Sequence, residues 1–118
     1  MSLEIQNTNQ LIDLAVSRTL YKNLILQLNK DFQLSNIEEC ISEVVPPDDL
    51  KRQLNGIVEH LIHYNFDSFL NLLYRIDLSE HSIKKQTSQS TEVYIEYVSF
   101  LILKREWQKV WFKHNYSS

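Results

Sequence analysis

Residues 91–112 constrain this chain more than any other stretch, because they read TEVYIEYVSFLILKREWQKVWF without a glycine or a proline. The first half, 93–103, is interrupted by only two polar residues, Glu96 and Ser99. It is shorter than the roughly 20 apolar residues of a membrane-spanning helix, but it suits a helix that is buried on most sides. We therefore expect a long C-terminal helix at the centre of a small bundle, and no membrane association.

A strand is the alternative for residues 93–103, since β-branched and aromatic residues also favour strands. Length decides for a helix, because no turn signal comes before His114 and one apolar face continues at helical spacing. That face comprises Phe100, Leu103, Trp107, Val110, Trp111 and His114. The two tryptophans then face the core or a partner, while Arg105, Lys109 and Lys113 form a solvated basic stripe.

The composition supports a helical protein. The 118 residues include one Gly and two Pro, with 43% hydrophobic and 23% charged residues, and so few backbone breakers favour long helices over a sheet rich in turns. A chain of this length suits one domain with one core. We predict an all-α single domain, residues 1–118, of about five helices, with residues 1–9 frayed.

Apolar spacing places the earlier helices. Tyr21, Leu24, Ile25, Leu28 and Phe32 mark an amphipathic helix, but residues 17–19 weaken the pattern, so 11–34 can be one helix or two. Another helix is expected to begin at Pro47, with acidic residues in its first turn, and to bury Leu50, Leu54, Ile57, Val58 and Leu61.

Capping residues indicate the remaining boundaries. Asp67 is predicted to cap a helix over 69–76, Ser79 a short segment over 80–86, and Thr91 the final helix. Ser35 and Glu38 match a capping box for a short helix that ends before the two prolines, with Ile37, Cys40, Ile41 and Val44 on one apolar stripe. Cys40 is therefore predicted to be a buried structural thiol. Because it is the only cysteine, the chain cannot form an internal disulfide.

His60 and His63 form the most suggestive pair for chemistry. At a spacing of three residues on a helix, two imidazoles can bind one metal if another segment supplies a third ligand. However, His63 falls toward solvent, where it would pair with Glu59. The sequence has no zinc-protease, hydrolase-elbow or phosphate-loop motif, so we expect no catalytic residue and no cofactor, with a metal site at His60 and His63 as the alternative.

The net charge of −3 gives no electrostatic case for a nucleic-acid partner. The closing KREWQKVWFKH nevertheless mixes tryptophans with basic residues, so nucleic-acid binding is a second alternative. The opening MSLEIQNTNQ has neither the basic nor the apolar region of a secretory signal, so we expect a cytoplasmic protein.

Aromatic residues are concentrated in the last 25 residues, in a number greater than a small bundle is expected to bury. Tyrosine and tryptophan are frequent anchors of protein interfaces. We therefore expect a non-enzymatic interaction or structural module that self-associates, as a homodimer for example. Its predicted interaction residues are Phe100, Leu103, Trp107, Val110 and Trp111.

Two segments, FDSFLNLLYRIDLSE and FLILKREWQKVWFK, resemble stretches in a group of small, functionally uncharacterised all-helical bacterial proteins. The resemblance implies a compact helical, cytoplasmic protein. The group has no assigned activity, so the resemblance implies no role for any single residue.

Overall fold

The structure, a computed structural model, describes residues 5–85 and 88–116. These residues form five α-helices and a short 3₁₀ helix, with no strand: α1 (Thr8–Ser17), α2 (Tyr21–Leu34), α3 (Pro47–Tyr64), α4 (Phe66–Arg75), the 3₁₀ helix Glu80–Ile83, and α5 (Thr91–Tyr116). The predicted all-α bundle with a long C-terminal helix is confirmed. The two-helix interpretation of 11–34 is also correct.

Helix α5 is the central element of the fold. It packs against α1, α2 and α3, while α4 packs against α3 and α2. One side of α5 is buried along most of its length, through Ile95, Val98, Ser99, Ile102, Leu103, Glu106, Trp107 and Val110. The first two turns are less enclosed than the sequence suggested, because Val93 and Tyr97 are 54% and 42% exposed.

Three helices end with a residue in the left-handed region, a position that usually holds glycine. Thr19, Asn36 and Asp77 have φ angles of 61°, 63° and 67°. Each is followed by an amide that donates back to a carbonyl five residues earlier, namely Leu20 to Ala15 (2.9 Å), Ile37 to Phe32 (3.0 Å) and Leu78 to Leu73 (2.8 Å). The chain therefore builds the common helix-ending motif without glycine.

The helix starts follow the predicted signals with small shifts. Pro47 is the first residue of α3, and the Ser79 hydroxyl accepts from the Ser82 amide at 3.2 Å. The 3₁₀ helix ends at Ile83, short of the predicted residue 86, which lies outside the described residues. Asp67 falls inside the first turn of α4 instead of capping it. The α5 cap is Ser90, whose hydroxyl accepts from the Val93 amide at 3.2 Å, one residue before the predicted Thr91.

The segment 37–45 is the main error of the sequence analysis, because it is irregular instead of helical. Ile37, Ile41 and Val45 are buried, whereas Cys40 is exposed and Val44 is 87% exposed. The three buried residues are four positions apart, a spacing that one face of a helix would also show, so the apolar pattern alone did not reveal the irregular conformation. Cys40 is therefore not a buried structural thiol.

Two side chains of α2 hold this segment in place. Asn29 accepts from the Ile41 amide through Oδ1 at 2.7 Å and donates to the Ile41 carbonyl through Nδ2 at 2.8 Å. The Tyr21 hydroxyl donates to the Val45 carbonyl at 2.8 Å. These bonds satisfy backbone groups that a helix would have paired internally.

Residues 5–9, which the sequence analysis assigned to a frayed end, contribute to the packed domain. Ile5 is 9% exposed and belongs to the core. The Asn7 side chain caps α1 by accepting from the Gln10 amide at 2.9 Å. Residues 1–4 lie outside the described residues.

Candidate functional site

Three ionisable side chains meet where α2 packs against α5. Asp31 on α2 is 1% exposed, and Glu106 on α5 is fully buried. Lys109, one turn after Glu106, places its Nζ 2.6 Å from Asp31 Oδ2 and 3.7 Å from Glu106 Oε1. Charged groups rarely lie this deep unless they are paired, so this cluster is the most unusual electrostatic feature of the described residues.

The two carboxyl groups have opposite protonation states. Burial raises the pKa of Glu106 to about 9, and the neighbouring Asp31 carboxylate adds to the effect more than Lys109 opposes it. Burial also acts to raise the pKa of Asp31, but contacts with Glu106, Lys109 and Gln27 outweigh it and hold that pKa below its ordinary value. At neutral pH, Glu106 is therefore neutral, while Asp31 is the anion that Lys109 balances.

A chain of hydrogen bonds leads from this cluster to the surface. Gln27, which is 7% exposed, donates to Asp31 Oδ2 through Nε2 at 3.1 Å. Its Oε1 accepts from Lys113 Nζ at 2.7 Å. We call Lys109, Asp31, Gln27 and Lys113 the polar chain. It fixes the Gln27 amide in one orientation and places the Lys113 ammonium at the protein surface.

Lys113 lies at a surface cleft between α2 and α5, which we call the α2–α5 cleft. Its volume is about 300 Å³, and its lining comprises Asn23, Leu26, Gln27, Lys30, Val110, Lys113 and His114. The lining includes three basic side chains and no carboxylate. Among the described residues, Lys30 and His114 have no ion-pair partner. The cleft is therefore a local positive surface on an acidic protein.

A larger groove, of about 600 Å³, lies between α3 and the first turns of α5. Its two basic residues are already paired, since Lys51 forms a salt bridge with Glu96, and Arg52 Nε lies 2.6 Å from Asp49 Oδ1. Four carboxylates, Asp48, Glu59, Glu92 and Glu96, also line it. Paired surface charges of this kind contribute little to stability and do not indicate a binding site.

The basic stripe predicted on α5 is not a solvated face. Lys109 and Lys113 bind α2 through the polar chain. Arg105 donates through Nε to the Ile76 carbonyl at 2.9 Å and through Nη1 to Gln108 at 2.8 Å. The charges that motivated a nucleic-acid surface are therefore used largely within the fold.

His60 and His63 both lie exposed near the end of α3, and their rings contact Tyr64 with centroids 5.2 and 6.3 Å away. His60 Nε2 lies 3.1 Å from Glu39 Oε2, so the irregular segment provides an acidic neighbour. Within residues 5–85 and 88–116, no group of three or more His, Cys, Asp or Glu side chains could hold a metal ion. Glu39, His60 and His63 therefore do not come together as one metal-binding group.

The five predicted interaction residues lie mostly inside the protein. Leu103 and Trp107 are fully buried and Val110 is 4% exposed, while Phe100 and Trp111 are partly buried against the core. The exposed aromatic side chains of the last turns are different ones. Phe112 and Tyr116 are 63% and 74% exposed, and their ring centroids lie 4.7 Å apart. We call these two residues the aromatic pair.

Sequence reasoning missed the polar chain, although a signal was present. Glu106 follows Leu103 by three residues and precedes Val110 by four, so it lies in the middle of the apolar face of α5. Asp31 similarly lies between Leu28 and Phe32 on the buried face of α2. A carboxylate within each of two apolar stripes indicates that the stripes meet around a paired charge.

No family model, curated protein or solved structure matches this chain. No helix in the described part is long and apolar enough to cross a membrane.

Proposed function

We propose that this protein is a non-enzymatic interaction module that self-associates through the aromatic pair at the end of α5. The observation that carries the proposal is that the rings of Phe112 and Tyr116 contact each other, with centroids 4.7 Å apart, and remain largely exposed. Aromatic rings bring a large apolar area with little conformational freedom to lose, which makes them effective interface anchors.

The position of the aromatic pair favours contact with another chain. Residues 112–116 are all exposed, so the last turn of α5 lies at the protein surface. Phe112 and Tyr116 are four residues apart, so they form one stripe on a rigid helix. A second copy related by a two-fold axis would present the same stripe, which is the geometry of most homodimers.

Glu106, whose pKa is strongly raised, does not support a catalytic alternative. Glu106 is fully buried beneath α2 and α5, so a substrate could reach its carboxyl group only if the helices separated. Among the described residues, the carboxylate that faces it, Asp31, is neutralised by Lys109 at 2.6 Å. A buried acid and a paired anion favour a structural role over proton transfer.

We also propose that the protein works in the cytoplasm. Cys40 is a free and exposed thiol. Such a thiol persists most readily in a reducing compartment, which supports this proposal.

Light scattering over a wide range of protein concentration tests self-association. We expect the mean mass of the wild-type protein to rise with concentration, and this rise to disappear in the double variant Phe112→Ser, Tyr116→Ser. Tyr74→Ser is the matched control, because Tyr74 is 88% exposed on α4, and it should behave like the wild type. A wild-type protein that stays monomeric throughout, or a double variant that associates normally, would contradict the proposal.

A further inference from the structure

We infer that the α2–α5 cleft binds a small organic phosphate ester, with Lys113, Lys30 and His114 around the phosphate and with Leu26 and Val110 against its apolar part. The proposal is independent of self-association through the aromatic pair. It rests on the charge of the cleft, the fixed position of Lys113 and the composition of the walls.

The charge of the cleft is local. The whole chain has a net charge of −3, so an anion is not attracted by the protein in general. Within the cleft, however, Lys30 comes from α2, and Lys113 and His114 come from α5, with no carboxylate in the lining. The nearest buried anion, Asp31, is already balanced by Lys109 at 2.6 Å. Among the described residues, the basic side chains of the cleft therefore have no carboxylate that balances their charge.

Lys113 is held in place by the polar chain. An ammonium group has three donors, and Gln27 Oε1 accepts one of them at 2.7 Å, which leaves two for a ligand. Gln27 is itself oriented by Asp31, to which it donates at 3.1 Å. A lysine side chain normally loses much rotamer freedom when it binds a ligand, and this prior ordering reduces that cost.

The location of Lys113 and His114 at the end of α5 does not by itself explain why basic residues gather in the cleft. Lys113 and His114 lie in the last turn, where any cation interacts favourably with the helix dipole. Lys30 lies on another helix, α2, away from a helix C-terminus, and it faces the same cleft. The Gln27 contact also directs Lys113 toward α2 instead of toward the terminal carbonyls of α5.

The composition of the walls selects the ligand class. Lysine binds phosphate as a point charge, whereas flat bidentate recognition of a carboxylate favours arginine, and no arginine lines the cleft. Leu26 and Val110 add apolar wall beside the basic residues. A volume of about 300 Å³ is at the lower end of the range for small-molecule sites, so a compact ester fits and a macromolecular surface does not.

Titration with phenyl phosphate, followed by amide chemical shifts in NMR, tests the proposal. We expect saturable binding with shifts confined to the residues of the cleft. Inorganic phosphate should bind more weakly because it lacks the apolar part, and benzyl alcohol, which lacks the charge, should not bind. Lys113→Gln is expected to weaken phenyl phosphate binding about tenfold, the effect of losing one charged hydrogen bond of about 1.4 kcal/mol.

Lys104→Gln is the matched control, since it removes the same charge from α5 outside the cleft lining, and it should leave the affinity unchanged. Lys113 is exposed and Lys104 is only partly buried, so we expect neither variant to disturb the core, and urea unfolding checks this directly. Three results would overturn the proposal: no saturation, shifts spread over the other helices, or equal weakening by the two variants. Equal affinity for inorganic and phenyl phosphate would overturn the role of the apolar wall.

Discussion

Lys109 Nζ lies 2.6 Å from Asp31 Oδ2 and so joins two residues that are 78 positions apart in the sequence. The contact connects the buried face of α2 to the central helix α5. It also determines the state of its neighbours, because Asp31 can remain charged at 1% exposure only beside a cation. The polar chain, the neutral Glu106 and the position of Lys113 all depend on this pair.

Removing the Lys109 charge should destabilise the protein. In Lys109→Met the apolar stem is kept but Asp31 becomes a buried charge without a cation, and we expect a loss of about 3 kcal/mol in the free energy of unfolding. Urea unfolding measures the change. Lys104→Met, which also removes a lysine charge from α5, should change stability by less than about 0.5 kcal/mol.

The same pair predicts strong coupling in a double-mutant cycle. Asp31→Asn removes the anion that Lys109 balances. The double variant Asp31→Asn, Lys109→Met should therefore lose less unfolding free energy than the two single variants lose in sum. Additive losses would show that the 2.6 Å contact does not govern stability.

Glu106 should make stability depend on pH. Between about pH 4.5, its ordinary pKa, and about 9, the folded protein keeps a proton on Glu106 that the unfolded chain has released. The free energy of unfolding should therefore fall as pH rises through this interval, with a slope of at most about 1.4 kcal/mol per pH unit. Glu106→Gln cannot ionise and should remove this slope. Parallel pH profiles for the two proteins would contradict the assignment.

Thr19→Gly should stabilise the protein. Thr19 has a φ of 61°, a conformation that is unfavourable for a β-branched residue and natural for glycine, so we expect a gain of about 1 kcal/mol. Ser17→Gly is the control, because Ser17 belongs to α1 and glycine there should cost up to about 1 kcal/mol. Urea unfolding of both variants should show opposite signs, and a loss in both would argue against the strained ending of α1.

Cys40 should react in the folded protein. The thiol is exposed on the irregular segment, so a soluble thiol reagent should label it completely without denaturant, at a rate close to that of the unfolded chain. Cys40→Ser should change the free energy of unfolding by less than about 0.5 kcal/mol. Labelling that requires denaturant would instead support the helix with a buried thiol that the sequence pattern favoured.

Local signals were enough to predict much of the fold. Pro47 with two acidic residues behind it marked the start of α3, and the uninterrupted stretch 91–112 gave α5 nearly its full length. Both predictions rest on chemistry within a few residues of the boundary. The weak periodicity at 17–19 likewise marked the real break between α1 and α2.

The errors arise where distant residues decide. Ile37 and Ile41 fit a helical stripe as well as an extended one, and the bonds from Asn29 that select the extended form come from α2. Lys109 looked like a solvated residue because its partner, Asp31, comes from another helix 78 positions away. The α2–α5 cleft was missed for the same reason, since its two walls are separated by most of the chain.

The protonation state of Glu106 tests the account of the buried cluster most directly. The ¹³C shift of its carboxyl carbon, assigned by comparison with Glu106→Gln, can be followed by NMR from acid to alkaline pH. We expect the resonance to keep the protonated value at neutral pH and to titrate near pH 9. A transition near 4.5, the ordinary value for glutamate, would show that the carboxyl group is solvated and that α2 and α5 do not enclose it as described.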